Sequence, residues 1–209
     1  VARALGIPAI GGARNALAGV QPGDPIVLDA DRGQVLLRPA NQVMASFESA
    51  VAAKAARKAS YAFLGDAPSR TRDGEGIAVL ANAGLLLDVE SAVAEGAEEI
   101  GLFRTELSFL GRAGLPTAEE QIALYREVRD IAGDRAIAFR TFDHGGDKTP
   151  ASLAGTRENN PALGWRALRI ALDMPETLRS QLYALAVAAS DGQLDVMFPM
   201  AAEAAEISA

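Results

Sequence analysis

Cysteine is absent and histidine occurs once, as His144, so disulfides and thiolate chemistry are excluded within these 209 residues. The missing cysteine is compatible with a reducing compartment. No apolar run approaches the roughly 18 to 20 residues a membrane-spanning helix needs, and the amino terminus lacks the regions of a signal peptide. No membrane association is expected, and cytoplasmic residence is the default. Positive charge is also scarce: 20 Lys and Arg stand against 27 Asp and Glu, a net charge of -7. That balance argues against non-specific nucleic-acid binding, yet it leaves room for a small anion held by a few placed arginines. What remains is 49% hydrophobic and 22% charged, enough for one substantial core or two modest ones.

One pattern organises the chain. An apolar run from Glu99 to Phe103 ends in Arg104, followed by Thr105 and Glu106, and a second from Ala136 to Phe139 ends in Arg140, followed by Thr141, Phe142 and Asp143. Between them, Thr117 to Ala132 carries an apolar stripe of Ile122, Leu124, Tyr125, Val128 and Ile131, with Pro116, Thr117, Glu119 and Glu120 marking its start. Strand, helix and strand at this spacing predict a βαβ unit. In such architectures the loops at the carboxyl ends of the strands carry the chemistry, so Arg104 and Arg140 are expected to share one mouth. Two guanidinium groups brought together repel unless an anion joins them, and their planar forks suit phosphate or carboxylate oxygens.

The segments GLFRTE, LPTAEEQ, FRTFDHGGDK, ENNPALGWRALRIAL and LDVMFPM, in that order, closely resemble the phosphoenolpyruvate-binding barrel of the Enzyme I family, the phosphoenolpyruvate-protein phosphotransferases of the bacterial sugar phosphotransferase system. The similarity runs across essentially the whole chain. It implies an α/β fold: the first half of a (β/α)8 TIM-type barrel, preceded by a linker helix and the β-rich tail of a swivelling phosphohistidine domain. On that basis residues 1–40 belong to the phosphohistidine domain, 41–75 to the linker helix and connection, and 76–209 to the barrel.

In chain order, residues 1–8 read as the last turns of a helix stopped by Gly6 and Pro8, with no start signal, which suggests that the polypeptide extends upstream. Pro25 to Ala30 and Gln34 to Arg38 flank a turn at Asp31, Arg32 and Gly33. An alanine-rich helix is expected from Asn41, a plausible N-cap, to about Leu64, with Met44, Phe47, Val51 and Ala55 on one side. A first strand is expected at Ile77 to Ala81 with its helix at Val89 to Ala97. A long helical segment follows from Pro161 to Asp191, then a strand at Leu194 to Pro199 and the start of a helix at Ala201. Half a barrel leaves strand edges and an apolar face that something must cover.

The resemblance implies that Arg104 and Arg140 grip the phosphate of phosphoenolpyruvate and that Arg166 matches another arginine of the site, with Asn159 and Pro161 shaping the approach. Arg169, three residues on from Arg166, could share its helical face. Glu106, Asp143, Lys148 and Asn82 are expected to hold the arginines and the Gly145, Gly146 loop in place. His144 departs from the family, which usually has an aliphatic residue there; it is not the phosphoryl carrier, and it has no metal-ligand partners at a recognisable spacing. The phosphorylated histidine is expected upstream of Val1, and the ligands of a magnesium ion (Mg2+) beyond Ala209, so these residues alone are expected not to complete the reaction. Partners implied are phosphoenolpyruvate, a small histidine phosphocarrier protein and a second copy of the chain in a homodimer. Two rivals stay open: another phosphoenolpyruvate enzyme, of the pyruvate phosphate dikinase or phosphoenolpyruvate synthase type, and a noncatalytic sensing or interaction module.

Overall fold

The computed structural model describes residues 2, 5–16, 18–61, 67–109, 114–145, 160, 162–189 and 192–208. The chain divides into two units, Val1–Ala67 and Pro68–Ala209.

In the first unit, β1 (Ile26–Asp29) and β2 (Gln34–Leu37) pair antiparallel, Ile26 opposite Leu37 and Asp29 opposite Gln34. The expected turn closes them, with the Arg32 N–H donating to Asp29 Oδ1 at 3.1 Å. Helix α1 spans Asn41–Ser60. Its N-cap is Ala40 rather than Asn41, because the chain turns after the extended Ala40, whose carbonyl accepts the N–H groups of Val43 and Met44. None of its residues is buried: Met44 and Phe47 are half-covered, while Val51 and Ala55 face solvent. The expected apolar side is therefore largely exposed. Near the amino terminus Ile7 N–H donates to Ala2 O at 2.9 Å across Gly6, whose φ is 65°, the closure that commonly ends a helix; residues 1, 3 and 4 of that expected segment lie outside the described residues.

The second unit is an α/β fold. Strands β3 (Leu80–Ala83), β4 (Glu99–Arg104), β5 (Ile137–Arg140) and β6 (Asp195–Met197) form one parallel sheet in the order β3-β4-β5-β6. Helices α2 (Leu86–Ala94), α3 (Ala118–Ala132), α4 (Leu168–Asp173), α5 (Pro175–Ala188) and α6 (Ala204–Ser208) follow the strands. Three expectations need correction. The first strand starts three residues late, since Ile77 N–H is taken by Ser69 O instead of the sheet. Helix α2 begins at Leu86 rather than Val89, because the Asp88 carboxylate reaches back to the N–H groups of Gly84 and Leu85 at 2.9 and 3.0 Å and caps the helix earlier. Of the long segment expected from Pro161, residues 162–167 form a loop and the rest is two helices from Leu168 on, broken at Met174, where Pro175 starts a new helix with no N–H to offer the old one. By contrast, α3 begins as expected: Thr117 and Glu120 form a reciprocal capping box.

The core sits between the sheet and its helices. Ile100, Phe103, Ile137 and Phe139 are buried against Val89 of α2, Tyr125, Val128 and Ala132 of α3, and Ala184, Leu185 and Ala188 of α5. Phe139 meets Phe103 and Tyr125 edge to face, centroids 5.6 and 5.2 Å apart, each contact adding about 0.5–1.5 kcal/mol beyond area burial. Between the pairs Ile100–Ile137 and Phe103–Phe139, two residues of β4, Gly101 and Leu102, oppose the single Ala138 of β5, a bulge that lets Ile100 and Phe103 both enter the core. Gly101 lies in that bulge, where a Cβ would come within 2.7 Å of Leu80 Cβ. Beyond the bulge, side chains alternate, so Arg104 and Arg140 project from the face opposite to Phe103 and Phe139.

Candidate functional site

Arg104 and Arg140, the last residues of β4 and β5, are directly paired in register. Neighbouring strands lie about 4.8 Å apart, so the two side chains start from adjacent points on one face. Their surroundings differ. The Arg140 side chain is 13% exposed; its Nη2 donates to Glu106 Oε1, and its Nη1 lies 3.4 Å from Asp143 Oδ2. Glu106 is fully buried in the 3-10 turn Thr105–Phe109 that follows β4. Arg104 forms no hydrogen bond or ion pair among the described residues, and its buried Nε has no acceptor.

Arg166 completes the cluster. It grips Asp143 with Nε to Oδ1 at 3.0 Å and Nη2 to both carboxylate oxygens at 2.7 Å, and donates from Nη1 to Ala162 O at 3.2 Å. It stands in the loop before α4, not on a helix surface. Asp143 thus joins Arg140 to Arg166. Gly145 makes the approach possible: its φ is 144°, and a Cβ there would lie 2.2 Å from Arg166 Cβ. Among the described residues three guanidinium groups face two carboxylates, and the Nε groups of Arg104 and Arg140 are buried donors without acceptors. An oxyanion is the ligand such a cluster can take, because it would satisfy those donors and offset the excess positive charge.

Other expected residues fall in different places. Asn82 lies on β3 opposite Leu102, two residues short of Arg104. The Arg169 side chain ties the loop before α4 together, donating to Leu163 O and, at 2.8 Å, to Gly164 O, while its backbone N–H donates to Arg166 O at 3.1 Å. His144 is buried with its ring 4.8 Å from that of Phe142, and its carbonyl accepts the Ala167 N–H at 2.8 Å. Lys148, Gly146, Asn159 and Pro161 lie outside the described residues.

A buried polar chain supports the strand ends. Gln181 of α5 accepts the Phe142 N–H at 2.9 Å and donates to Thr105 Oγ1 at 3.1 Å and to Tyr125 Oη at 3.0 Å. Thr105 Oγ1 donates to Arg140 O at 2.8 Å, Tyr125 donates to Gln121 Oε1 at 3.1 Å, and Gln121 donates to Pro116 O at 3.2 Å. Burial raises the Tyr125 pKa well above its ordinary value, against the hydrogen bond from Gln181 that acts to lower it. Sequence reasoning missed Thr105, Gln121 and Gln181 as supports. A signal was present: Gln181 shares a helical face with Ala184, Leu185 and Ala188, and Gln121 with Tyr125, Val128 and Ala132, each a polar residue inside an apolar stripe.

Comparison with known proteins decides the family. Residues 58–209 match the PEP-utilising enzyme, PEP-binding domain, and residues 1–33 match the PEP-utilising enzyme, mobile domain. The chain belongs to the PEP-utilising enzyme family. Similar relatives are the phosphoenolpyruvate-protein phosphotransferases of Haemophilus influenzae, 42% identical over 207 residues and 99% of this chain, and of Geobacillus stearothermophilus, 41% identical over 202 residues and 97% of it. The protein of the same name from Bacillus subtilis is 38% identical over 202 residues. The chain spans 36%, 35% and 35% of the lengths of those relatives.

PEP-utilising enzymes generally use Mg2+. Among the described residues no group of three or more His, Cys, Asp or Glu could hold a metal ion, and both carboxylates of the site are committed to arginines. The described residues do not fit a magnesium centre. Among them, too, no helix is long and apolar enough to cross a membrane.

Proposed function

We propose that this chain carries the phosphate-gripping part of a phosphoenolpyruvate-protein phosphotransferase. Residues 76–209 would form the first half of a (β/α)8 barrel, residues 1–40 the tail of a swivelling phosphohistidine domain, and residues 41–75 their connection. The observation that carries the reading is the register pair Arg104–Arg140 at the carboxyl ends of adjacent parallel strands, with the Nε of each buried and lacking an acceptor. A phosphate monoester offers the oxygens those groups lack. Arg166, tied to Arg140 through Asp143, would complete the grip; Glu106 holds Arg140, and Lys148 and Asn82 remain candidates for flanking roles.

In the proposed reaction a histidine upstream of Val1 attacks the phosphorus of phosphoenolpyruvate. An N–P bond forms, the P–O bond to the enol breaks, and the enol takes up a proton to leave as pyruvate. The arginines stabilise negative charge on the phosphoryl group in flight, a contribution that commonly amounts to about 2.7–4 kcal/mol for one removed donor. Phosphate then passes to a small histidine phosphocarrier protein. Magnesium, with ligands beyond Ala209, a homodimer and a cytoplasmic setting belong to the same proposal. The test is transfer of labelled phosphate from phosphoenolpyruvate to the full-length polypeptide with magnesium present. Label on histidine is expected. A well-folded protein that takes no label would overturn the reading in favour of a noncatalytic binding module.

A further inference from the structure

We propose that Gln181 is a positioning residue that fixes the offset between Arg104 and Arg140; the inference rests on the phosphate-gripping role proposed above. Its amide is fully buried and its three partners all lie at or beside the site's supports. The carbonyl oxygen accepts from Phe142, two residues beyond Arg140, and the NH2 group donates to Thr105, the residue after Arg104. Thr105 in turn donates to the carbonyl of Arg140 itself. One side chain therefore touches the loop after each arginine-bearing strand. Its third partner, Tyr125, connects this clamp to α3, and through Gln121 to the carbonyl of Pro116 just before the helix.

The chemistry explains why an amide stands here. A backbone N–H needs an acceptor and a hydroxyl that already donates elsewhere needs a donor, and glutamine supplies both from one rigid plane. Methionine has a similar length and neither function. Replacing Gln181 with it leaves the Phe142 N–H buried without an acceptor, and relaxation of that loop would shift Arg140 relative to Arg104. A small cavity lined by Phe142, His144, Ile170 and Leu178 lies beside Gln181. A phosphate grip whose two arginines are offset binds its ligand less tightly, and each lost increment of about 1.4 kcal/mol is tenfold in affinity.

The experiment uses the full-length polypeptide and compares Gln181→Met, Gln181→Glu and wild type. KM for phosphoenolpyruvate, kcat, melting temperature and amide hydrogen exchange of residues 105–109 and 141–145 are read together. Gln181→Met should raise KM at least about tenfold and speed exchange in both loops at a temperature where the variant is fully folded. Gln181→Glu keeps the acceptor for Phe142, so the exchange of 141–145 should stay slow; it provides the second reading if the methionine variant does not fold. A merely structural glutamine would lower melting temperature and the active fraction, and hence apparent kcat, with KM unchanged. That result overturns the proposal, as does faster exchange confined to one loop in Gln181→Met. If wild type itself transfers no phosphate, the function proposed above fails separately, and the exchange pattern alone still decides whether Gln181 couples the two strand ends.

Discussion

The carboxyl ends of β4 and β5 are built from the same residue type at the same register, yet they are finished differently. At the end of β5, Arg140 is held by the buried Glu106 and lies within ion-pair distance of Asp143, which also binds Arg166. At the end of β4, Arg104 has no such partner among the described residues. Arg140 is a placed charge whose position is fixed before any ligand arrives. Arg104 is a charge left available. The difference shows how a cluster of guanidinium groups can be preorganised and still attract an anion: carboxylates set the geometry of one guanidinium, while their number stays below that of the arginines.

Removing Glu106 should break the contrast most severely. Glu106→Ala deprives Arg140 of a fully buried counter-charge, and breaking a buried pair in this way costs about 3–5 kcal/mol, read by chemical denaturation of the full-length protein. Arg104→Leu, at the matching position, should leave stability within about 0.5 kcal/mol of wild type, since no partner is stranded. Asp143→Asn comes next: it keeps the shape and loses the charge that bridges Arg140 and Arg166, an expected loss of about 1.5–3 kcal/mol in the same measurement. Weaker binding of phosphoenolpyruvate should accompany it, because Arg166 is no longer held beside Arg140.

Smaller effects come from the support beneath both ends. Tyr125→Phe removes one hydroxyl from the buried chain and should cost about 0.5–1.5 kcal/mol near neutral pH. The sign of its pH dependence follows from the raised pKa. The neutral hydroxyl is favoured by the folded state, so its contribution is complete below the ordinary value of 10.0 and is lost as pH rises above it. Denaturation curves between pH 8 and about 11 should show wild type losing stability on the alkaline side more steeply than Tyr125→Phe. Equal slopes would mean that Tyr125 ionises as freely in the folded chain as in the unfolded one.

The strand ends were legible because their signal is local. Arg104 and Arg140 interrupt apolar runs, and the helix between them starts on Thr117 and Glu120, whose reciprocal bonds are visible as a sequence pattern. Elements without such punctuation shifted. Leu86 opens α2 because Asp88 caps from inside the first turn, and nothing in the composition around it separates that from a start at Val89. The break at Met174 was readable in principle, since Pro175 cannot continue the preceding helix. Asp143's double engagement was not readable: two arginines 26 residues apart in the chain converge on it only through the fold. The amide of Gln181 was hidden for the same reason, its partners lying 39, 56 and 76 residues away. Polar residues inside apolar stripes mark such sites, but only tertiary structure names their partners.

The most direct measurement compares Arg104→Ala, Arg140→Ala and wild type in labelled phosphate transfer from phosphoenolpyruvate, with melting temperature recorded on the same full-length samples. The expected result is that both variants lose transfer by a factor on the order of 10² to 10³, while only Arg140→Ala, which strands the buried Glu106, also loses stability. Arg104→Ala transferring phosphate within about twofold of wild type would contradict the reading of Arg104 as the open half of the phosphate grip.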